Sequence, residues 1–496
     1  MSSASPIGAP QPAIGRDYSG VARWRGFTAT TALTVYLVLL LAVPSNVTIA
    51  ALGAYGRPSL LWGLFLLAWW LLSRIQYRVV DVRPVAQPIR HAFGLLLVIA
   101  LVSFAAAMMR GQPVDQVSPA ITALVRMASW AGVMLVAMDG VRTITEITTL
   151  ARRLAIAAGL LAGLGLLQSV THQTFLDWFG MIPGLTYGGE GIGARGEFAR
   201  ATGTAIHPLE FAVSLIGLLP IAFAAAVTAG FRHDEKPHRV RWWIPAVLIM
   251  ITSLVAVSRS AIIGLVIAVI ASMSFLPVKQ RWVVAGLGFV ALVAIAVLVP
   301  GMITTMLYLF IGASDDPSTQ SRADALARVP EFLASSPVYG VGFGTFLPRY
   351  YIFDNQIVLL LIELGIAGVI AFAALVIAAL WSTLWAGHVS PQPDTKRLSR
   401  MFGASLVSIV VLFVFFDALS FPIAAGIFFL IVGLCGSMRT IGAVDARLAA
   451  AAVGRQTLDE PEDGVASASD VGTEAPVEAE QVASQTVERI AGEDRL

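Results

Sequence analysis

The sequence predicts an all-α fold, a polytopic transmembrane helical bundle with about twelve spans. Of its 496 residues, 57% are hydrophobic and 13% are charged, whereas soluble domains carry about 25% charged residues. A chain this apolar has too few polar side chains to cover a water-facing surface. Its apolar residues occur in continuous runs, and a spanning helix needs roughly 20 mostly apolar residues. Because the runs do not alternate between apolar and polar positions, they favour helices over a membrane β-barrel.

The apolar runs predict spans at 27–43, 58–73, 91–109, 118–138, 153–171, 208–229, 242–257, 260–277, 282–299, 355–385, 401–417 and 420–437. Within the run 242–277, Ser258-Arg259-Ser260 is interpreted as the turn between two spans. The N-terminus has no cleavable signal pattern, so the first run is expected to remain as a helix. Segment 45–57 could be partly embedded in the membrane.

The placement of Lys and Arg predicts how the spans are oriented. With twelve spans, the loops rich in basic residues all fall on one side. We therefore expect a plasma (inner) membrane protein with a cytoplasmic N-terminal segment, 1–26, and a transmembrane domain, 27–440. Residues 441–496 are rich in Asp and Glu and are predicted to form a disordered, acidic cytoplasmic tail. Two long loops, about 172–207 and about 300–354, then lie on the extracytoplasmic side, which is where function is expected.

Arginines on the extracytoplasmic side are candidates for anion binding, because the positive-inside bias works against them. They lie in the two long loops and at one helix start: Arg195, Arg200, Arg259, Arg322, Arg328 and Arg349. A guanidinium stays charged, and its planar fork matches phosphate oxygens, so several converging arginines would bind a pyrophosphate without a metal. Each one could instead pair with a nearby carboxylate or meet lipid headgroups. Arg259 is the strongest candidate, since it lies between two apolar spans with no acidic neighbour in sequence.

Two further charged or titratable residues lie in or beside spans. Arg126 falls inside span four, where an unpaired charge is costly. We favour a structural role, with Asp417 or Glu363 as its partner, over a water-filled cavity. His207 begins span six, and Pro208 suits the first position of a helix. This histidine could act as a base, as a donor to phosphate or as an ordinary interfacial residue.

The segment from 337 to 368 carries the densest set of candidates. Gly340, Gly342 and Gly344 would permit a backbone that approaches a ligand closely. They do not form a nucleotide-binding fingerprint, since no strand and no matching helix start surround them. Asp354 lies where the second long loop enters span ten. It could accept a proton from a hydroxyl, but spacing alone favours a helix N-cap. Glu363, deeper in that span, could line the same cavity or pair with an arginine.

Three groups of residues occur in order between about 195 and 370. They are Arg200-Ala201-Thr202-Gly203 with His207-Pro208, then Ser258-Arg259-Ser260-Ala261, then Ser321-Arg322, Pro337-x-x-Gly340-x-Gly342-x-Gly344-x-Phe346, Asp354-Asn355 and Glu363-x-Gly365-x-x-Gly368. Together they resemble the signatures of the O-antigen ligase and O-antigen polymerase family. The large loop late in the chain and the number of spans are similar as well.

The resemblance implies a membrane glycosyltransferase that uses neither a nucleotide sugar nor a cofactor. Its donor is a glycan on undecaprenyl pyrophosphate at the outer face of the plasma membrane. The resemblance assigns the pyrophosphate to arginines, here Arg259, Arg322, Arg200, Arg195 and Arg328. The residue before the asparagine, here Asp354, activates the acceptor hydroxyl, and His207 is the other candidate base. We expect Gly340, Gly342, Gly344, Asn355 and Glu363 to position the loop and the acceptor.

Ligases of this family usually have histidine where this chain has Asp354, which favours a polymerase of a surface polysaccharide or exopolysaccharide. Transfer is expected to invert the anomeric centre and to need no metal, since the sequence has no metal-ligand cluster. The expected partners are the lipid-linked glycan, a polysaccharide acceptor, membrane lipid and, through the acidic tail, envelope-assembly proteins, but no nucleic acid. Three alternatives are a ligase for finished glycans, a polysaccharide or lipid transporter (flippase), and an assembly scaffold. Charged residues crowd the outer half, which argues against a transport route through both halves.

Overall fold

The computed structural model describes residues 27–75, 85–188, 193–195, 198–231, 239–255, 258–298 and 317–459. The predicted N-terminal segment, 1–26, lies outside these ranges. The described helices are α1 Ala29–Leu41, α2 Pro58–Ile75, α3 Pro88–Met109, α4 Val114–Gly140, α5 Ile144–Thr171, α6 Pro208–Val227, α7 Trp243–Val255, α8 Arg259–Ser272, α9 Val278–Leu298, α10 Pro317–Leu333, α11 Gln356–Val389, α12 Pro393–Leu412 and α13 Pro422–Asp459. The predicted all-α class is confirmed.

The strands of the described residues are very short. Strand β1, Thr48–Ile49, pairs antiparallel with β2, Leu185–Thr186, and ties the loop after α1 to the loop after α5. Strand β3, Gly193–Arg195, pairs antiparallel with β4, Phe198–Arg200. These two ribbons contribute no sheet to the core. They hold long loops together at one end of the bundle.

Seven of the described helices, α2, α3, α4, α5, α6, α11 and α13, are long and apolar enough to cross a membrane. Helices α1, α7 and α8 are apolar but shorter. A helix occupies each of the predicted spans, and α8 begins at Arg259, as expected for the turn at Ser258-Arg259-Ser260. The number of membrane crossings stays a prediction, because only seven of the helices at the predicted spans are long and apolar enough to qualify as membrane-spanning.

Helices α6 and α13 form the centre of the bundle. In their most apolar stretches, 94% and 89% of the residues are buried, whereas the values for α2 and α3 are 22% and 28%. Central helices have apolar residues on all faces because other helices surround them. Phe223 in α6 and Phe428 in α13 are both fully buried. The exposed apolar faces of α2 and α3 are the surfaces suited to lipid.

Helix α13 extends into the segment that was predicted to be the acidic tail. Helix α13 continues without interruption to Asp459, so residues 441–459 are helical and the boundary at 441 is wrong for them. Ile441 and Ala443 are buried against the bundle, and the alanines that follow have the highest helix propensity. The remaining part of the predicted tail, 460–496, lies outside the described residues.

A charged cluster closes the end of the bundle opposite the long loops. The Asp139 carboxylate is nearly buried and accepts hydrogen bonds from Arg90 at 2.7 Å and from the Trp70 indole at 2.8 Å. Arg74 pairs with the same carboxylate. A buried carboxylate needs partners of this kind. The cluster therefore gathers arginines at the end where the sequence places the cytoplasmic side.

Helix α11 is interrupted within its first third. Gly365 has φ 68°, and the loop before the helix docks into this break. Val341 donates its N–H to the Ile362 carbonyl at 2.9 Å, and Gly342 donates to the Glu363 carbonyl at 3.1 Å. On the far side of the break, Ile366 donates its N–H to the Pro337 carbonyl at 3.0 Å. Non-helical backbone inside a membrane bundle is tolerated where protein satisfies it in this way.

Candidate functional site

Several helix ends and loops meet at the end of the bundle that carries the long loops, here called the long-loop end. Gln356, the first residue of α11, donates its N–H to the Phe413 carbonyl at 2.9 Å and accepts a hydrogen bond from the Leu419 N–H at 2.7 Å. These bonds fix the start of α11 to the connection between α12 and α13.

Glu210 joins the starts of α6 and α13 at the same end. Its fully buried carboxylate accepts hydrogen bonds from the Ile423 N–H at 2.6 Å and from the Ile206 N–H at 2.9 Å. A third bond comes from the Ser45 hydroxyl at 3.3 Å. Helix N-termini leave N–H groups without intrahelical partners, and a carboxylate is well suited to accept from them. Glu210 therefore holds three separate segments of the chain together.

A pocket opens at this end between α1, α2, α4 and the start of α13. Two arginines, Arg57 and Arg126, line it together with Ser59, Trp130 and Ser420. Among the residues that the structure describes, neither guanidinium makes a hydrogen bond or an ion pair, and the Nε atom of each is buried without an acceptor. We call this feature the Arg57–Arg126 pocket.

The two arginines interact with charges nearby without pairing to them. Burial lowers the pKa of Arg57, and the negative charge of Glu210 opposes that shift. Arg126 lies in the field of Arg57, which repels it, and of Glu363, which attracts it. The expected structural ion pair of Arg126 with Asp417 or Glu363 does not form in the described part of the chain. The alternative given by the sequence, a position facing a cavity, fits the structure better.

Asp354 lies at the start of α11 but does not cap the helix. Asn355 is the N-cap, because its Oδ1 accepts hydrogen bonds from the N–H groups of Ile357 at 3.0 Å and Val358 at 3.2 Å. The expectation that Asp354 is the cap is therefore wrong by one residue. Asp354 has φ 46°, in the left-handed region that few non-glycine residues adopt. Its carboxylate is consequently not occupied by the helix end.

A second carboxylate, Asp417, lies close enough to Asp354 for their charges to interact. Burial raises the pKa of Asp417 to about 6, a hydrogen bond with Ser420 opposes the rise, and the charge of Asp354 adds to it. Ser420 also lines the Arg57–Arg126 pocket. One short turn thus connects a pair of carboxylates to a pocket that holds two arginines.

The three glycines of the 340–344 loop pack against protein. Gly340, Gly342 and Gly344 have φ values of 73°, 133° and 74°. A Cβ atom at Gly340 would lie 2.2 Å from the backbone of Glu363, and one at Gly344 would lie 2.5 Å from Ala123. The Glu363 carboxylate in turn accepts hydrogen bonds from the backbone of Gly344 and Phe346. The glycines therefore allow the loop to approach α4 and α11 closely. The predicted role of the loop in positioning an acceptor stays a prediction.

Among the side chains that the structure describes, the predicted pyrophosphate arginines Arg200, Arg259 and Arg328 do not line the Arg57–Arg126 pocket. Arg259 is the first residue of α8, and Arg200 ends β4. Arg328 is exposed on α10, where its Nε donates to Glu331 at 3.2 Å and its guanidinium lies over the Tyr351 ring. The side chains of residues 195 and 322 lie outside the described part. The pyrophosphate role of these five residues stays a prediction.

His207 is the N-cap of α6. Its Nδ1 accepts a hydrogen bond from the Leu209 N–H at 3.2 Å, and its ring lies 5.8 Å from that of Phe421. Pro208 occupies the first helical position, as the sequence predicted. The histidine therefore has a structural role at the long-loop end, and its role as a base stays a prediction.

Sequence reasoning missed Arg57 and Glu210 as residues of this region. It considered Asp417 only as a partner for Arg126, and it gave the cavity only as the second interpretation of Arg126. Glu210 was detectable, because a carboxylate in the first turn of a strongly apolar helix needs a partner. Arg57 stands directly before the Pro58 start of α2 on the predicted outer side. In contrast, no sequence signal indicated that α2 and α4 would bring Arg57 next to Arg126.

Within the described ranges, no group of three or more His, Cys, Asp or Glu side chains is arranged to hold a metal ion.

Residues 244–373 match the family described as O-antigen ligase. The match runs from the start of α7 into α11 and includes Arg259, Arg322, the three loop glycines, Asp354 and Glu363. No curated protein matches the chain. All the residues that line the Arg57–Arg126 pocket lie outside the matched segment.

Proposed function

We propose that this protein, whose residues 244–373 match the family described as O-antigen ligase, polymerises lipid-pyrophosphate-linked oligosaccharide repeat units into a surface polysaccharide or exopolysaccharide. The family match and the apolar helices support glycan transfer within a membrane. The observation that carries the finer proposal is the carboxylate pair Asp354 and Asp417 at the long-loop end, with Asp354 inside the matched segment and not used as a cap.

Asp354 is the general base of this proposal. A hydroxyl of the acceptor glycan attacks the anomeric carbon of the donor, its proton passes to the Asp354 carboxylate, and the new C–O bond forms. The bond between that carbon and the pyrophosphate oxygen breaks, and the lipid pyrophosphate leaves with the electron pair. In-line displacement inverts the anomeric centre. Asp417 contributes a second negative charge beside this proton acceptor.

The leaving pyrophosphate is assigned to the predicted arginines. Arg259 combines a guanidinium with the N-terminus of α8, and both features attract phosphate oxygens. Arg200, Arg322, Arg195 and Arg328 are proposed to complete this site. Preorganised positive charge at a departing group lowers the barrier because it stabilises charge that develops in the transition state.

The protein is proposed to work at the outer face of the inner membrane, with both termini in the cytoplasm. The single cysteine, Cys435, is buried, which makes labelling of introduced cysteines specific. In a Cys435→Ala background, an impermeant maleimide should label Ser420→Cys in intact cells and label Arg397→Cys only after permeabilisation. Labelling in the reverse order would contradict the orientation.

Cells that lack the gene separate a polymerase from a ligase. A polymerase predicts that single repeat units accumulate on the lipid carrier. Accumulated long chains on the carrier would instead favour the ligase alternative, in which a finished glycan is passed to another acceptor. Normal lipid-linked intermediates at the outer face would contradict both, while intermediates held at the inner face would favour the flippase alternative.

Variants expressed in the same cells test the assigned residues. Asp354→Asn and Arg259→Ala should each lower polymer formation by at least about 100-fold, in line with the loss of a general base or of transition-state charge stabilisation. Arg400→Gln is the matched control, because this exposed arginine lies at the opposite end and donates to the Ser274 carbonyl at 3.2 Å. Near-normal polymer with either site variant, at equal membrane abundance, would remove that residue from the site.

Metal independence is also part of the proposal. Turnover by purified protein should be unchanged in excess chelator, since the described residues offer charge stabilisation through arginine. Complete loss of turnover that Mg²⁺ restores would reject this part and leave the rest standing.

A further inference from the structure

The Arg57–Arg126 pocket contains positive charge that the described chain does not neutralise by direct contact. Two guanidinium groups share one pocket, each has a buried Nε without an acceptor, and neither forms an ion pair with a described residue. Buried cations without partners are costly, and like charges placed together add to that cost. Such a pair is expected where a ligand supplies the missing negative charge.

The two carboxylates whose charges act on these arginines, Glu210 and Glu363, already accept hydrogen bonds from other groups. The Glu210 carboxylate accepts from Ile423, Ile206 and Ser45, and the Glu363 carboxylate accepts from the backbone of Gly344 and Phe346. Neither carboxylate lines the pocket. The two carboxylates contribute negative charge without contacting the arginines, so the guanidinium donors remain available to a ligand in the pocket.

The walls of the pocket suit a small oxyanion. Ser59 lies in the first turn of α2, and Ser420 and Pro422 lie at the start of α13, so two helix N-termini border the pocket with partial positive charge. Trp130 and Tyr36 supply aromatic walls. Both aromatic side chains are buried, so the lining fits a compact anionic group that the two arginines can bind, such as a carboxylate or a phosphate.

We propose that the Arg57–Arg126 pocket binds a compact oxyanion of the glycan substrate, the carboxylate of an acidic sugar residue or a phosphate group. This inference rests on the proposed function and names the substrate class that the same end of the bundle takes. The pocket lies outside the segment matched to the family, so it is a feature of this chain beside the Arg259 site. Ser420 lines the pocket and hydrogen-bonds with Asp417, so the pocket and the carboxylate pair belong to the same end of the bundle.

Stability without ligand distinguishes a binding site from a structural role. If Arg126 is kept for a ligand, Arg126→Gln removes a partly buried charge that no described side chain pairs with, and the unliganded protein should melt at the same or a higher temperature. If Arg126 instead stabilises the fold, the melting temperature of Arg126→Gln should fall, which would overturn the proposal. Arg400→Gln at the opposite end is the control for loss of an arginine as such.

Binding is measured with the full chain in detergent, as the shift of the melting temperature with sodium glucuronate, with inorganic pyrophosphate and with neutral glucose. Glucuronate or pyrophosphate should stabilise the protein in a saturable way, and glucose should not. Arg57→Gln and Arg126→Gln should each weaken this binding by at least about tenfold, the expected loss of a charge-assisted hydrogen bond. Arg400→Gln should bind as the original protein does.

The two anions identify the source of the oxyanion. Stabilisation by glucuronate assigns the pocket to an acidic sugar, and stabilisation by pyrophosphate alone assigns it to phosphate. The proposal is overturned if neither anion stabilises the protein. It is also overturned if the anions stabilise Arg57→Gln and Arg126→Gln as much as they stabilise the original protein. Asp354→Asn should bind the anion normally while polymer formation is lost, so a failure of glycan transfer and a failure of this pocket give different results.

Discussion

The docking of the glycine loop into the break of α11 makes Gly340→Ala a demanding test of the fold at the long-loop end. Gly340 has φ 73°, a conformation that costs an alanine roughly 1–2 kcal/mol. The added Cβ would also lie 2.2 Å from the Glu363 carbonyl carbon and 2.5 Å from the Leu364 nitrogen. Because the atoms in the way are backbone, the clash cannot be relieved by a side-chain rotation.

The substituted chain has two ways to respond, and both are costly. Shifting the backbone of α11 costs about 1–3 kcal/mol, as is typical of overpacked sites. Releasing the loop loses the hydrogen bonds from Val341 to Ile362 and from Gly342 to Glu363, each worth about 1 kcal/mol. Together with the backbone conformation, the expected loss in the free energy of unfolding is roughly 2–5 kcal/mol.

Thermal unfolding of the purified protein in detergent, combined with limited proteolysis between residues 337 and 353, measures this loss. Gly94→Ala in α3 is the matched control, because a Cβ there meets nothing within 4 Å and alanine favours a helix by about 1 kcal/mol over glycine. We expect the control to keep or raise the melting temperature. If Gly340→Ala has the same melting temperature and the same resistance to protease as Gly94→Ala, the loop does not dock into the break of α11.

The remaining predictions concern buried charges. Because the raised pKa of Asp417 means that the fold prefers its protonated form, its ionisation weakens the fold as the pH rises from about 4 through about 6. Asp417→Asn should therefore be up to about 3 kcal/mol more stable than the original above pH 6 and equal to it at pH 4; a constant difference across melting curves contradicts this. Glu210→Ala strands the Ile206 and Ile423 N–H groups and should cost about 2–5 kcal/mol in thermal unfolding, whereas an unchanged melting temperature excludes the bridging role. Asp139→Ala leaves two partly exposed arginines unpaired and should cost about 1–3 kcal/mol, with the loss smaller in high salt.

Features that depend on a few neighbouring residues, such as helices and their first residues, could be predicted from the sequence. Helices were predictable because their apolar runs match the length of a membrane span, and Pro208 and Arg259 begin α6 and α8 where local signals placed them. The cap of α11 was missed by one residue, because Asp and Asn both suit that position and only the left-handed backbone of Asp354 decides between them. The break at Gly365 gave no local signal, since glycine is common in membrane helices.

Contacts between segments that are far apart in the chain could not be predicted from the sequence. Arg126 appeared to need a carboxylate partner, yet its position beside Arg57 depends on the packing of α2 against α4. Whether Asp417 acts on Asp354 depends on Gln356, which fixes the start of α11 to the connection before α13. The end of α13 was placed too early because an alanine-rich extension of a helix and the start of an acidic tail look alike in composition.

The most direct test of glycan transfer at the long-loop end uses purified protein in liposomes with a lipid-linked single repeat unit as both donor and acceptor. We predict stepwise longer glycans on the lipid, one released lipid pyrophosphate for each added unit, and neither product with Asp354→Asn. Release of pyrophosphate without longer glycan, or elongation that persists in Asp354→Asn, would contradict this account of the protein.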